Sequence, residues 1–514
     1  MKQLTTLLAV CLFSTTLFAQ EDLSNLEGNT LKTGIRLSYH SVQMPNEKVS
    51  YPLEPRMGFL GANYLIHIND WLYTGLGFHG ALFGDQGGLF TLGANLGVNT
   101  KIYKNLYFDA NIHVAGGGGF RSLVNGGLML NPNIGLQYKK KGFAFGAQYS
   151  AINFTNGIIR SDGVSFFVEI PSSVRKASYE DAQREFVAKN LNSDNYWKKP
   201  VVRSVTQARF DFYFPIGDSK KDNGEDLDVT LYVLGGEYQK YLTERTFIYA
   251  HTDAIYRGLT AGYMQLFFGG GHNFVQTRSI NLFGKFGLGA AGGRVAQEGG
   301  FMMYPSAGFD IKIAKKVAFS GHGGYLRALD GSLEAYTLGF GIKYLNFTGG
   351  SEDPNGNSIE KFRTQGIRIA IENQSFADVK RFGAHTVDLQ SIAFRVLYDI
   401  SKSFYLAGEA SFAYEGNSGG YAHGLFALGY QTPKFFNQNF SLYFEGGVGA
   451  AGGGRVDTGE GIIVRPVAGI NYHIAKDFSV SFSGGKLITP IGDANSTNIN
   501  IGLTYGLSTL IAKK

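Results

Sequence analysis

Polar and apolar residues alternate with period two along most of this chain, and that alternation sets the fold class. In residues 106–114, Leu106, Phe108, Ala110, Ile112 and Val114 share one face, and Tyr107, Asp109, Asn111 and His113 share the other. Residues 90–99 and 128–138 repeat the pattern with Gly, Asn, Thr and Gln on the second face. Period two is the strand signature, because successive side chains leave a strand on opposite sides. Segments of about ten residues, apolar on one face and small or polar on the other, fit a strand with lipid outside and a polar interior inside. A soluble sandwich also alternates, but the number and length of the segments and the leader described below weigh against it.

Composition agrees. Charged residues are 17% of the 514, below the roughly 25% usual for soluble domains. Gly is high at 71, Phe and Tyr supply 41 and 29, and Pro is only 12. The net charge of +6 is dispersed, without the basic stripe that nucleic acid requires. Residues 1–19 read as a secretory leader. Lys2 is followed by a short apolar core and by Leu17-Phe18-Ala19 at the cleavage position. Val10 is too bulky for a lipidation box ending at Cys11. Cys11 is the only cysteine, so disulfides and thiolate metal sites are excluded. No later segment has the roughly 20 apolar residues of a membrane helix. A closed barrel is the other backbone that satisfies its own hydrogen bonds in lipid.

Internal repetition is the second signal. Pro132, Pro305 and Pro466 sit in related strands 173 and 161 residues apart, each followed by a Lys-bearing turn. Arg36, Arg209 and Arg368 recur 173 and 159 residues apart in Gly-Ile-Arg-Leu, Gln-Ala-Arg-Phe and Gly-Ile-Arg-Ile. The glycine-rich stretches 116–121, 290–294 and 450–455 move in step. Eight strands fit each repeat. In the first they begin near Thr33, Met57, Trp71, Leu89, Leu106, Leu128, Phe143 and Val164. The expected architecture is all-β: a transmembrane antiparallel β-barrel protein of about 24 strands in three eight-strand repeats. The units are 20–172, 201–347 and 362–514. Between them lie a polar linker, 173–200, with a short helix capped at Ser178 and reaching about Asn190, and a flexible linker, 348–361. Short turns fall on one rim and longer loops on the other, which places the linkers on the periplasmic side. Three tandem small barrels are favoured over one large barrel, because a lumen of about 24 strands needs a plug that no segment supplies.

The strands 106–119 and 128–138 and their two equivalents resemble the glycine-rich outer-membrane β-barrel family of Gram-negative bacteria, in the class of small eight-stranded barrels. The resemblance implies the cell outer membrane as location and membrane lipid as partner. It implies no particular activity. The family often closes on an aromatic residue, whereas this sequence ends Ile511-Ala512-Lys513-Lys514.

Candidate chemistry is sparse. Gly287–Gly292 and Gly447–Gly452 both spell G-x-G-x-x-G, but strands follow them, so close packing is expected rather than a dinucleotide site. The acidic stretch 218–228 lacks calcium-loop spacing and reads as a solvated loop. Zinc-protease and serine-hydrolase motifs are absent, and no catalytic residue, cofactor or metal is expected. The residues singled out are charges that alternation turns inward: Arg36, Arg209, Arg368, Asp109, Asp211, Asp253, Glu372, Glu409 and Glu445. Asp109 is the expected partner of Arg36, and Glu445 or Glu409 that of Arg368. Inward ion pairs that fill narrow barrels are favoured over a selectivity ring. The expected function is a non-enzymatic structural or anchoring membrane protein, with a periplasmic or surface protein as a further partner. The alternative is a passive, porin-like channel for small solutes.

Overall fold

The computed structural model describes residues 26–46, 53–187, 191, 196–260, 262–296, 298–353, 359–383 and 385–513. The leader lies outside the described residues. Twenty-five strands are described. The first eight are Asn29–Gln43 (β1), Arg56–His67 (β2), Leu72–Phe83 (β3), Phe90–Tyr103 (β4), Leu106–Gly118 (β5), Met129–Lys140 (β6), Phe143–Phe154 (β7) and Arg160–Lys176 (β8). They form a closed antiparallel barrel in sequence order, with β1 paired to β8 from Asn29–Lys176 to Tyr39–Phe166.

A short strand, Glu185–Val187 (β9), follows. The second set is Val202–Ile216 (β10), Leu231–Tyr241 (β11), Thr246–Arg257 (β12), Tyr263–Gln276 (β13), Ile280–Gly293 (β14), Phe301–Lys312 (β15), Val317–Ala328 (β16) and Glu334–Thr348 (β17). The third is Lys361–Lys380 (β18), Thr386–Asp399 (β19), Phe404–Glu415 (β20), Ala422–Gln431 (β21), Phe440–Gly452 (β22), Ile462–Ala475 (β23), Phe478–Leu487 (β24) and Ser496–Ala512 (β25). Together with β9 these make a 17-stranded sheet. Within it β10 also pairs with β17, from Val202–Thr348 to Ile216–Glu334. Likewise β18 pairs with β25, from Phe362–Ala512 to Ala377–Thr497. Between the second and third sets, β17 meets β25 at a single pair, Thr348 opposite Ile511.

The burial pattern is inside out. In β1, Ile35, Leu37 and Tyr39 are 42%, 42% and 41% exposed, while Arg36, Ser38 and His40 between them are 5%, 4% and 3% exposed. The same inversion recurs in β8 (Val164, Phe166, Val168 and Ile170 exposed), β17 (Tyr336, Leu338, Phe340 and Ile342) and β25 (Ile499, Ile501 and Leu503). A water-soluble sheet would expose the polar face instead. Among the described residues no helix is long and apolar enough to cross a membrane. Trp71 and Tyr103, at short turns, are 54% and 62% exposed, as interfacial aromatics are.

The three sets touch in a cycle. The β3–β4 loop lies on the end of β14, where the Gly87 amide donates to the Glu298 carbonyl at 2.6 Å. A Cβ on Gly292 would stand 1.8 Å from the Gly88 Cα. The β12–β13 loop lies on the end of β22, with a Cβ on Gly262 placed 3.0 Å from the Gly452 Cα. The β20–β21 loop closes the cycle on the end of β5. There the Gly419 amide donates to the Asn125 carbonyl at 2.7 Å, and a Cβ on Gly420 would be 3.1 Å from the Gly119 Cα. The G-x-G-x-x-G segments therefore lie within β14 and β22, and their last glycines let backbones of adjacent sets meet. Inside this cycle an apolar cluster joins Phe78, Phe90 and Leu92 from the first set, Met264 and Ala290 from the second, and Phe394 and Phe412 from the third.

The expected helix after Ser178 is corrected by the structure. Ser178 does cap, accepting from the Glu180 amide, but the turn is a 3₁₀ turn of three residues, Tyr179–Asp181. The chain then extends into β9, because Lys361–Arg363 of β18 offers backbone partners. The expected continuation to Asn190 runs outside the described residues.

Candidate functional site

All nine inward charges singled out in the sequence are buried. In the first set, β1 carries Arg36 across the interior to Asp109 on β5. Arg36 Nη1 and Nη2 donate to the two Asp109 oxygens, each at 2.9 Å, and Nη2 also reaches Glu169 on β8 at 2.8 Å. Tyr73, Asn99 and Asn111 donate to Asp109, and Gln137 donates to Glu169. Every charge here is both paired and hydrogen-bonded, the condition under which buried ions are tolerated. Nearer the long loops the same interior holds a cluster of tilted imidazoles. The His79 and His113 ring centres are 4.5 Å apart and those of His40 and His79 are 5.9 Å apart.

In the second set Arg209 contacts Asp211 at 3.1 Å and Glu237 at 2.7 Å. Lys285 shares Glu237 at 2.7 Å, and His322 contacts Asp211. Asp253 is one step removed from Arg209. It accepts from Tyr213 at 3.0 Å and Gln265 at 3.0 Å, beside His251. Lys343 and Asp310 form a separate pair at 2.8 Å.

The third set departs from the expected pairing. Arg368 binds neither Glu445 nor Glu409; it donates to Asp399 on β19 at 2.9 Å and to Gln431 on β21 at 2.6 Å. Glu372, Glu409 and Glu445 converge instead on Arg395. Its Nη1 donates to Glu372 at 2.7 Å, its Nε lies 3.0 Å from Glu409, and Nη2 reaches Glu445. Arg465 and His423 complete the shell of Glu409. The physical reason is depth. Arg368 lies toward the short-turn rim, opposite Gly506, whereas Arg395 sits opposite Ala370 and Glu409, farther along the strands.

Sequence reasoning missed Glu169, Glu237, Lys285, Asp310, Lys343, Arg395, Asp399 and Arg465. For most of them the signal was present. Glu169 stands between Val168 and Ile170, Arg395 between Phe394 and Val396, and Asp310 between Phe309 and Ile311. A single charge between outward apolar residues must face inward. Asp399, at the end of β19, carried the same signal, standing between Tyr398 and Ile400.

Two small cavities lie inside the third and first sets. One of about 30 Å³ lies by Arg368, Arg395 and Tyr405, and one of about 20 Å³ lies among His40, His79 and His113. A single water needs roughly 10–15 Å³ on this scale, so each holds one to three waters. Among the described residues no cluster of His, Cys, Asp and Glu could hold a metal ion. In the 218–228 loop, Lys220 contacts Asp218 and Asp226, and Lys221 contacts Glu225. Hydrogen bonds to Asp218 and Asp226 raise the Lys220 ammonium above its ordinary value.

No protein-family description and no curated protein matches this chain. Solved structures that align with it include a variant of the ferric enterobactin receptor of Pseudomonas aeruginosa, at 8% identity over 92% of this chain and 80% of that one, TM-score 0.26. OpdQ of Pseudomonas aeruginosa aligns at 12% identity over 93% and 98%, TM-score 0.20. The siderophore receptor PirA of Acinetobacter baumannii aligns at 8% identity over 94% and 81%, TM-score 0.27. Similarity at this level carries no argument; the barrel architecture rests on strand pairing and on the inside-out burial.

Proposed function

We propose that this chain is an integral outer-membrane protein built of three tandem eight-strand barrels with filled interiors, and that its role is structural or anchoring rather than enzymatic. The observation that carries this reading is the occupation of each interior by paired, buried charges. A conducting pore needs a continuous aqueous path. The long ladders β10–β17 and β18–β25 support separate closure of the second and third sets, since a single ring would need comparable ladders between sets. The units proposed are 20–172, 201–347 and 362–514. The glycine contacts and the apolar cluster they surround support packing of the three into one rigid body. The exposed apolar bands fit membrane lipid as solvent, and the loops and linkers are the surfaces left for a periplasmic or surface protein.

Reconstitution in planar bilayers tests the filled reading. The expected result is no stable conductance steps. Steps whose reversal potential shifts on Arg395→Met would replace it with the porin-like channel. Location is tested separately: the protein should fractionate with outer membranes and migrate faster on gels before boiling than after.

A further inference from the structure

The interior position facing the repeated arginine is filled differently in each set. In the first, Arg36 faces Glu169 across the β1–β8 ladder, and Glu169 occupies the space. In the second, Arg209 faces Gly341, and a Cβ on Gly341 would stand 2.6 Å from the amide nitrogen of Gln207, so the side chain of Gln207 fills the gap. In the third, both positions are glycine: Gly366 replaces the glutamine, and Gly506 faces Arg368. At Gly366 the set's own Asp399 side chain lies alongside, but at the position facing Arg368 the set supplies no side chain.

The space is taken by a residue from elsewhere in the chain. Tyr179, in the linker between the first and second sets, lays its ring over Gly506, where a Cβ would stand 2.7 Å from the Tyr179 Cγ. The Tyr179 hydroxyl donates to Asp399 at 2.8 Å, the acid that also holds Arg368. Ala182 shares the room at Gly366 with the Asp399 side chain; a Cβ there would lie 2.9 Å from the Ala182 Cβ. The segment is fastened at both ends. Ser178 Oγ and the Tyr179 amide donate to Asp477 at 3.0 and 2.9 Å, and β9 pairs with the start of β18. Directly inside lies the 30 Å³ cavity beside Arg368 and Asn471.

We propose that residues 177–187 are a plug, supplied in cis, that closes the short-turn mouth of the third barrel through Tyr179. Ala177 also exchanges backbone bonds with Ser508, and Gln183 and Arg184 bond to Thr364 and to the Asp399 carbonyl; these bonds lie outside the ladders that close the barrel, so the segment can open without the barrel unfolding. Glycine at 366 and 506 makes the site specific, since a side chain at either would collide with the plug. The proposal rests on the reading of the third set as a closed, filled barrel.

A thiol placed under the plug separates the possibilities. Asn471→Cys in a Cys11→Ser background, probed in detergent with a membrane-impermeant sulfonated methanethiosulfonate, should react slowly. Adding Tyr179→Ala should raise the rate at least tenfold, and Gly506→Ala, which expels the ring from the barrel side, should do the same. Tyr179→Phe, which keeps the ring and loses one hydrogen bond, should stay within a fewfold of the parent. Gln137→Cys in the first barrel should not respond to Tyr179→Ala. Retention of the fast-migrating unboiled gel form shows that each variant is folded. Slow labelling of Asn471→Cys in all backgrounds would overturn the plug alone. Fast labelling with Tyr179 intact would overturn the filled barrel beneath it.

Discussion

Replacing Arg395 by Met tests the proposed filled interior most directly. Arg395 is 4% exposed and faces Glu372, Glu409 and Glu445. After the substitution Glu409 keeps Arg465 and His423. Glu445 keeps only a Tyr405 hydroxyl at 3.2 Å, and Glu372 loses its cation. Breaking a buried pair from one side costs about 3–5 kcal/mol, because the remaining charge stays desolvated. For a unit of about 150 residues, each kcal/mol lowers the unfolding temperature by roughly 2–4 °C, so a fall of about 6–20 °C is expected. The assay is the temperature at which the compact, unboiled gel form disappears, with the first unit as internal standard. Adding Glu372→Gln and Glu445→Gln removes the orphaned charges and should recover most of the loss, a strong departure from additivity. A fall of less than about 2 °C, together with new conductance, would mean that water already solvates these carboxylates, and the argument from desolvation would fail.

The remaining expectations are read at other places in the molecule. Gly292→Ala puts a methyl group against the Gly88 backbone and should separate the first and second units, at a cost of about 1–3 kcal/mol, seen as faster proteolysis of the 84–89 loop. Gly408→Ala, with nothing within 4 Å, is the matched control and should be silent. Lys32 holds the Asp70 carboxyl, at an exposed short turn, below its ordinary value of 3.8. Its small contribution is therefore present at neutral pH and lost as pH falls through the folded-state value; Lys32→Ala should return the carboxyl titration, followed by NMR, to the ordinary value. A protease site inserted between residues 353 and 359 should, after cleavage, leave two pieces that each keep heat-modifiable migration. Unfolding of the 362–514 piece on separation would favour strand pairing across that boundary.

Much of the strand framework was legible because lipid outside and a polar interior inside write period two into every strand. The expected first-repeat starts differ from β1–β8 by at most four residues, Thr33 against Asn29 and Val164 against Arg160 being the widest. Arg36 and Asp109 were legible as inward for the same reason. The choice of partner was not. Alternation gives the side of a strand that a residue occupies; pairing across an interior also needs the depth of each residue along the axis, which depends on strand stagger. Arg368 and Glu445 face the same interior at different depths, and each found a nearer partner. The helix expected after Ser178 failed for a related reason: the capping pattern is local, whereas β18 offers an open edge from a segment about 180 residues away.

Glycine ties these observations together, because it does different work at two levels of the same molecule. At the loop ends of β5, β14 and β22 it removes side chains so that three units can approach backbone to backbone. Those positions recur in every repeat because the cycle needs one per contact. At the opposite rim Gly366 has a counterpart in Gly34 and Gly506 one in Gly341, but only the third set has glycine at both positions, since the first carries Glu169 opposite its arginine and the second carries Gln207 beside its own. A repeat that keeps its arginine yet omits the side chain packing against it leaves a buried cation in a space open to water. In this chain that space is filled by Tyr179, from a linker that neither begins nor ends in the third unit. The glycines at the loop ends thus let the three sets of strands meet, and the coincidence of Gly366 with Gly506 leaves room at the rim of the third set for the linker between the first two.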